Sequence, residues 1–172
     1  LSAARSELFN AVLAARVADG SWQRALDGDV FQLDGRSSIF GPEPISDELR
    51  DRVARGDIHP TGPMFGRGEP RSTDAVRPLE SVVFDAHPEL CAGLIAAGLD
   101  QERRALRLMA RDFHCDFDGP DLFARFTLPA GAYATRGLPE MNHWASAKEP
   151  KEDHFRTSVH RKKAKTPSWS YE

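Results

Sequence analysis

The sequence predicts an α+β fold, with helices over most of the first hundred residues and strands after them. In the first part, apolar residues recur mainly at the three- and four-residue spacing of amphipathic helices. After Asp100 the spacing changes to an alternation of apolar and other residues, which is the period of a strand. No repeat period is visible, so the chain does not have the sequence of a solenoid.

The first predicted element is an amphipathic helix at the amino end. Its apolar residues recur at helical spacing from Leu1 through Leu8 to Val17. Ser2 is placed to cap the helix, and Gly20 lies just beyond its last turn.

A small β element is predicted next. The turn pairs Asp27-Gly28 and Asp34-Gly35 bracket a short apolar run, Val30 to Leu33, and the segment Ser38 to Phe40 is its expected partner.

Three more helices are predicted before Asp100. Ser46 caps one that stops at Gly56, and Thr73 opens another whose apolar side carries Val76, Leu79 and Val83. Pro88 suits the first turn of the last helix, since that position needs no backbone N–H.

The segment from Gly56 to Gly66 predicts a stiff loop. Its glycines permit unusual backbone angles, and its prolines fix φ and favour an extended neighbour before them. One interpretation is a structural connector. The other is a rigid loop that presents His59 and Thr61 to a ligand.

After Asp100 we expect a strand over residues 106–111 and a stronger strand over residues 122–128, joined through Asp118-Gly119-Pro120. The second strand ends in Leu128-Pro129-Ala130-Gly131, a tight turn that holds Tyr133 at a strand terminus. Such a residue either packs as a half-buried aromatic or belongs to a binding site.

Metal ligands and catalytic dyads are weakly indicated. In a strand, His114 and Asp116 share one face while Cys115 lies on the other, so we expect no metal site. The pairs Asp57 with His59 and His87 with Cys91 lack an obvious third, orienting group. With Cys91 and Cys115 as the cysteines, a disulfide framework is not expected.

Charge and hydropathy narrow the function classes. The formal net charge of −3 does not indicate a nucleic-acid binder, and no apolar run approaches the ~20 residues needed to span a bilayer. We therefore expect a cytoplasmic protein with no membrane partner. Up to Thr135 the positive charge comes from arginine alone, whereas the lysines all lie later: Lys148, Lys151, Lys162, Lys163 and Lys165.

The tail carries a basic run beginning at Arg161, with Trp144 and Trp169 elsewhere in it. These residues could contact RNA phosphates and bases, but a charge run in a polar, proline-containing tail is more often solvated or disordered.

Four segments together resemble the tRNA pseudouridine synthase D family in their order and spacing. They are Leu1–Asn10, Asp27-Gly28-Asp29, Gly56–Gly66 and Leu128–Thr135. The resemblance implies the later half of such an enzyme: the family's inserted domain over residues 1–100, strands of the catalytic domain over residues 101–135 that return to a mixed sheet, and a divergent, disordered tail over residues 136–172.

The resemblance also implies a chemistry, the isomerisation of a uridine in tRNA without a cofactor. An aspartate assists cleavage of the glycosidic bond, and the flipped base is held by stacking on an aromatic ring. The position of that aromatic matches Tyr133, which is the one substrate-binding residue that carries over. The partners implied are tRNA and the missing amino-terminal half.

Departures from the family pattern limit this implication. The catalytic aspartate of the family lies in a Gly-x-Lys-Asp motif, and no lysine occurs before Lys148. An Asn-Tyr-Phe-Gly segment is absent, and Ala132 stands where serine is usual. We expect the chain to be inactive alone. The alternatives are a non-catalytic RNA-binding or interaction module and a truncated or frameshifted gene product.

Overall fold

The computed structural model describes residues 1–118 and 121–128, and it is an α+β fold, as predicted. Contacts within the chain define two compact units, the sheet unit Leu1–Leu108 and a second unit that begins at Met109. The described helices are α1 (Ser2–Ala18), α2 (Asp47–Arg55), α3 (Val76–Ala86) and α4 (Pro88–Ala96), with a 3-10 turn at Ser21–Gln23. The strands are β1 (Phe31–Leu33), β2 (Ile39–Phe40), β3 (Ile58–Met64), β4 (Glu102–Ala105), β5 (Arg111–Asp118) and β6 (Asp121–Thr127).

Most of the predicted helices are confirmed, with small shifts at their starts. Helix α1 begins at Ser2, so Leu1 rather than Ser2 occupies the N-cap position. Helix α2 has the predicted caps, because the Ser46 hydroxyl accepts from the Leu49 N–H at 3.2 Å and Gly56 is left-handed with φ of 80°. Helix α4 begins at Pro88, as expected.

Helix α3 begins at Val76, three positions after the predicted start at Thr73. The Thr73 carbonyl accepts from the N–H groups of both Val76 and Arg77, so the chain makes a tight turn before the helix begins. The Thr73 hydroxyl bonds to Asp74 and does not cap the helix.

The predicted stiff loop from Gly56 to Gly66 is wrong, because most of it is the strand β3. Four strands form a sheet in the order β2-β1-β3-β4 with antiparallel pairing, and the predicted β1–β2 pair is confirmed. Strand β3 is therefore internal, with β1 paired to its first half and β4 to its second.

The prolines of β3 are tolerated because each lies where a neighbouring strand ends. The Pro60 carbonyl accepts from the Leu106 N–H just past β4, so its nitrogen faces the end of that ladder. The Thr61 N–H bonds to Val30, and by the alternation of a strand the Pro63 nitrogen faces the same side, beyond the β1 pairing. Proline thus removes no ladder bond that a neighbour needs.

The strand predicted over residues 106–111 is also wrong. Strand β4 ends at Ala105, opposite Thr61, and the next strand does not start until Arg111. Leu106 is buried, while Leu108 and Met109 are exposed, so the alternating residues do not share a sheet face. The stronger predicted strand is confirmed as β6, paired antiparallel with β5.

Two apolar clusters fill the sheet unit. One joins β1 and β3 to α2 through Phe31, Leu49, Val53 and Ile58. The other joins α1 to α4 through Leu8, Cys91 and Leu94. Helix α1 also lies close to β3, since a Cβ on Gly62 would meet the Phe9 ring at 3.0 Å.

The second unit is described as the β5–β6 hairpin. Phe113 stacks on Phe126 with ring centroids 6.0 Å apart, on the face that also carries Cys115, Phe117 and Ala124. Phe113 and Phe117 are 50% and 47% exposed, so this face of the hairpin is apolar and largely uncovered within the described residues.

Candidate functional site

Tyr133, the predicted substrate-binding residue, lies outside the described residues, as does the basic run near Arg161. Of the residues that the sequence singles out for ligand binding, His59 and Thr61 lie within the described part of the chain. Both are placed by β3, and both are buried, with exposures of 4% and 1%. The hypothesis that they are presented to a ligand on a loop is wrong.

The His59 ring lies between the Asp34 carboxylate and the Arg107 guanidinium. Its Nε2 lies 2.8 Å from Asp34 Oδ1, and its Nδ1 lies 2.9 Å from Arg107 Nε. An arginine has no acceptor, so Nδ1 must accept and Nε2 must carry the proton that is donated to Asp34. Both ring nitrogens are thus occupied in the neutral tautomer.

Arg107 is anchored by backbone as well as by His59. Its Nη2 donates to the carbonyls of Val53 and Ile58, the latter at 3.1 Å. Burial lowers the pKa of the Arg107 guanidinium, and the nearby Asp34 carboxylate opposes that shift.

Thr61 belongs to a second buried network that joins β3 to α3. Its hydroxyl donates to the Val30 carbonyl at 2.6 Å and accepts from Arg103 Nε at 2.8 Å. Arg103 also donates to the Thr61 carbonyl and to Glu80, the latter at 2.6 Å. The Ser72 hydroxyl donates to Glu80 Oε2 at 2.6 Å. Every group here is satisfied internally, so this is a structural network.

A third network fixes the end of α1. Arg16 makes two hydrogen bonds to Asp29, at 2.7 and 3.0 Å, and a third to the Ser21 carbonyl. Burial raises the pKa of the Asp29 carboxyl, against the opposing hydrogen bonds and charge of Arg16.

These networks explain why the body of the chain uses arginine. Arg16 and Arg103 each use several nitrogens of the forked guanidinium to reach several oxygens at once, and Arg5 reaches the carbonyls of Met64 and Asp100 through its Nη2 alone. Lysine carries a single ammonium group and cannot make the same planar set of bonds.

An open cleft of about 520 Å³ lies beside the turn at Gly28. Gly28 has φ of 90°, and a Cβ there would lie 1.9 Å from the Thr73 carbonyl oxygen, so the close approach of the two segments requires glycine. The cleft carries three carboxylates, which suit a polyanionic RNA backbone poorly. Its lining residues are Asp27, Gly28, Pro42, Glu43, Pro44, Thr73, Asp74 and Ala75.

The sequence-predicted dyads are not formed. Asp57 pairs with Arg55, while His59 pairs with Asp34 instead. The Cys91 thiol lies 3.7 Å from the Phe84 carbonyl oxygen, and burial, with a further contribution from Asp85, raises its pKa.

No metal-binding cluster is found in residues 1–118 and 121–128, where no three His, Cys, Asp or Glu side chains come together. In β5, His114 lies opposite Arg125 and Cys115 lies opposite Ala124, so the two point to different faces.

Sequence reasoning missed the partners of the two β3 residues. Asp34 and Arg107 lie 25 and 48 positions from His59, and Glu80 and Arg103 are 23 positions apart. A local pattern cannot reveal such contacts. The available signal was the use of arginine alone across 135 residues that also hold most of the acidic side chains.

Comparison with known families assigns this architecture. The profile of the tRNA pseudouridine synthase D (TruD) family matches residues 1–141. The chain belongs to this TruD family. The match continues past Thr135, where we expected the resemblance to end, and it stops before the first lysine, Lys148.

Individual TruD relatives agree. A tRNA pseudouridine synthase D of Xanthomonas axonopodis pv. citri (strain 306) is 51% identical over 150 residues, which cover 86% of this chain and 41% of the relative. One from Pseudomonas putida (strain W619) is 47% identical over 144 residues, covering 82% of the chain and 40% of the relative. The chain thus spans about two fifths of the length of these TruD relatives.

A solved structure shares the fold. A crystal structure of a TruD protein from Methanosarcina mazei superposes with a TM-score of 0.59 at 22% identity, covering 79% of this chain and 36% of that one. None of the helices in the described part of the chain is long and apolar enough to span a membrane.

Proposed function

We propose that this chain is the later part of a tRNA pseudouridine synthase and that it acts on tRNA only together with an upstream part of the enzyme. The observation that carries the proposal is the TruD match over residues 1–141 of a chain that spans only 41% of a close relative. The division into an inserted domain at 1–100, catalytic strands at 101–135 and a tail at 136–172 belongs to the same proposal.

The networks of the sheet unit support a scaffold role. Asp34, Glu80 and Asp29 each face an arginine or histidine of this unit, so these carboxylates are engaged in holding the fold. An aspartate that assists glycosidic cleavage must instead reach the substrate. Since the family's Gly-x-Lys-Asp motif has no match in this sequence, we assign the catalytic aspartate to the upstream part.

The hairpin supports the need for that upstream part. An isolated two-stranded hairpin is marginal in water, and Phe113 and Phe117 leave about half of their surface uncovered. We propose that the upstream part covers this face, because burial of aromatic surface is the main favourable term in such an association.

The experiment measures pseudouridine formation in a tRNA transcript, with the chain alone and with the separately produced upstream part of the Xanthomonas relative. We expect no product from the chain alone, because its sequence has no match to the aspartate motif that the resemblance implies, and product from the mixture. Turnover by the chain alone would contradict the proposal. RNA binding without turnover in the mixture would favour the non-catalytic module.

Tyr133 is proposed to stack on the flipped uracil, without a cofactor. In the reconstituted mixture, Tyr133→Ala should lower activity by about 5- to 150-fold, since base–aromatic stacking contributes ~1–3 kcal/mol. Tyr133→Phe should retain activity because stacking needs the ring rather than the hydroxyl. The matched control is Tyr171→Ala, the chain's other tyrosine, which should have no effect. Full activity of Tyr133→Ala would remove Tyr133 from the site.

A further inference from the structure

The sheet unit ends in a short segment fixed at two consecutive residues. The Leu106 N–H donates to the Pro60 carbonyl at 2.9 Å, and the Leu106 side chain is buried. Arg107 is the next anchor, while Leu108 and Met109 are exposed. The exit segment, residues 106–109, is therefore held by Leu106 and Arg107 before the chain leaves the sheet unit at Leu108.

One of the hydrogen bonds that hold Arg107 depends on the protonation state of His59, while its bonds to the Val53 and Ile58 carbonyls do not. Arg107 Nε can donate to His59 Nδ1 only while that nitrogen keeps its lone pair. Protonation of Nδ1 would break this hydrogen bond, because the His59 Nδ1–H and the Arg107 Nε–H would then point at each other. It would also place an imidazolium beside a guanidinium. Imidazole is the side chain whose charge ordinarily changes between pH 5 and 8.

The two charged neighbours of the ring act in opposite directions. Asp34 accepts from Nε2 and favours a protonated ring, while Arg107 is the cation that would be repelled by it. Several charged side chains of the other elements packed against β3 have partners away from the ring, and Arg104 of β4 lies over the Phe9 ring, 4.0 Å from its centroid. Arg5 and Arg16 of α1 bond to Met64 and Asp29, Arg55 of α2 pairs with Asp57, and Arg103 of β4 pairs with Glu80.

We propose that His59 is a proton-sensitive contact: the neutral ring helps to hold Arg107 and the exit segment. Protonation removes this hydrogen bond and leaves Arg107 on the Val53 and Ile58 carbonyls, while Asp34 retains the imidazolium. Leu106 then loses part of the support of its neighbour, so the exit segment opens locally while the rest of the sheet stays formed. The two apolar clusters do not contain the ring, which allows the opening to stay local.

The test is NMR of the full chain between pH 8 and pH 5. Ring ¹⁵N shifts report the His59 tautomer and its protonation, the Nε–H resonance of Arg107 reports the bond, and amide exchange of Leu106 reports the exit segment. We expect all three to change with one midpoint. Exchange of the Leu106 amide, corrected for its intrinsic pH dependence, should rise about tenfold or more, the factor expected for loss of a hydrogen bond to a charged group.

Two variants complete the test. His59→Gln should abolish the shared transition, because its amide does not titrate. His114→Gln, at an exposed position of β5, should leave the transition unchanged. The proposal is overturned if His59 changes charge while Arg107 and Leu106 do not respond, if His59 stays neutral down to the pH of global unfolding, or if the shared transition persists in His59→Gln.

Discussion

One phenylalanine side chain of the sheet unit is buried, whereas one in the β5–β6 hairpin is about half exposed. In the sheet unit, Phe31 is completely buried against α2 and the neighbouring strands. In the hairpin, Phe117 leaves 47% of its surface exposed. Two threonines differ in the same sense, since Thr61 lies inside a buried, satisfied network while Thr127 donates to Asp112 at an exposed position.

The two regions differ in how far each buries its apolar side chains and pairs its buried charges. The sheet unit encloses its apolar clusters and pairs its buried charges internally, which is what an independently stable unit requires. The hairpin satisfies its backbone through pairing, but none of the residues that the structure describes covers its apolar face. Within a TruD enzyme, we interpret the sheet unit as a self-contained scaffold and the hairpin as the part that needs a partner.

The largest effect should separate the two phenylalanines. Phe31→Ala should lower the free energy of unfolding of the sheet unit by about 3–5 kcal/mol, because it leaves a cavity in a packed core. Phe117→Ala, the same chemical change on the hairpin, should cost below about 1 kcal/mol. Urea unfolding followed by far-UV circular dichroism measures this, since the described helices all lie in the sheet unit. Equal losses in the two variants would remove the contrast.

A smaller effect should separate the two threonines. Thr61→Val keeps the shape but leaves the Val30 carbonyl and Arg103 Nε without their hydroxyl partner, at a cost of about 1–3 kcal/mol. Thr127→Val changes an exposed strand residue and should change stability by about 0.5 kcal/mol or less. The same unfolding measurement applies, and a neutral Thr61→Val would show that the buried network contributes little to stability.

The smallest effect is expected at the exposed end of α1. The hydroxyl and the backbone N–H of Ser21 lower the pKa of the Asp19 carboxyl. Because the folded pKa is the lower one, the stabilisation is complete above the unfolded value of about 3.9 and is lost as pH falls through the folded pKa. A ¹³C carboxyl titration should show a midpoint below the usual aspartate value that moves up in Ser21→Ala. An unshifted midpoint would contradict this.

Local signals in the sequence were sufficient for the helices but not for the sheet. The Ser46 cap and the Gly56 terminus of α2 depend on backbone needs within a few residues, so the sequence states them directly. Strand β3 was missed because Pro60 and Pro63 are turn-forming residues by local rules. Strand β3 tolerates these prolines because of where β1 and β4 end, and those ends are set by pairing with residues far away in the chain.

The site shows the same division. His59 and Thr61 were singled out, but their partners Asp34, Arg107 and Arg103 are distant in sequence, so the burial of both residues could not be inferred. Tyr133 stays a prediction, since it lies outside the described residues. The TruD family was recognisable because four short segments retained their order, which does not depend on knowing the contacts.

The most direct test of the account is hydrogen exchange by mass spectrometry on the chain, alone and mixed with the upstream part of the Xanthomonas relative. We expect the amides of Arg111–Asp118 and Asp121–Thr127 to gain at least about tenfold protection in the mixture, as strands do when their apolar face becomes covered. Amides of Ile58–Met64 should exchange equally in both samples. Unchanged hairpin exchange in a mixture that forms pseudouridine would contradict the account.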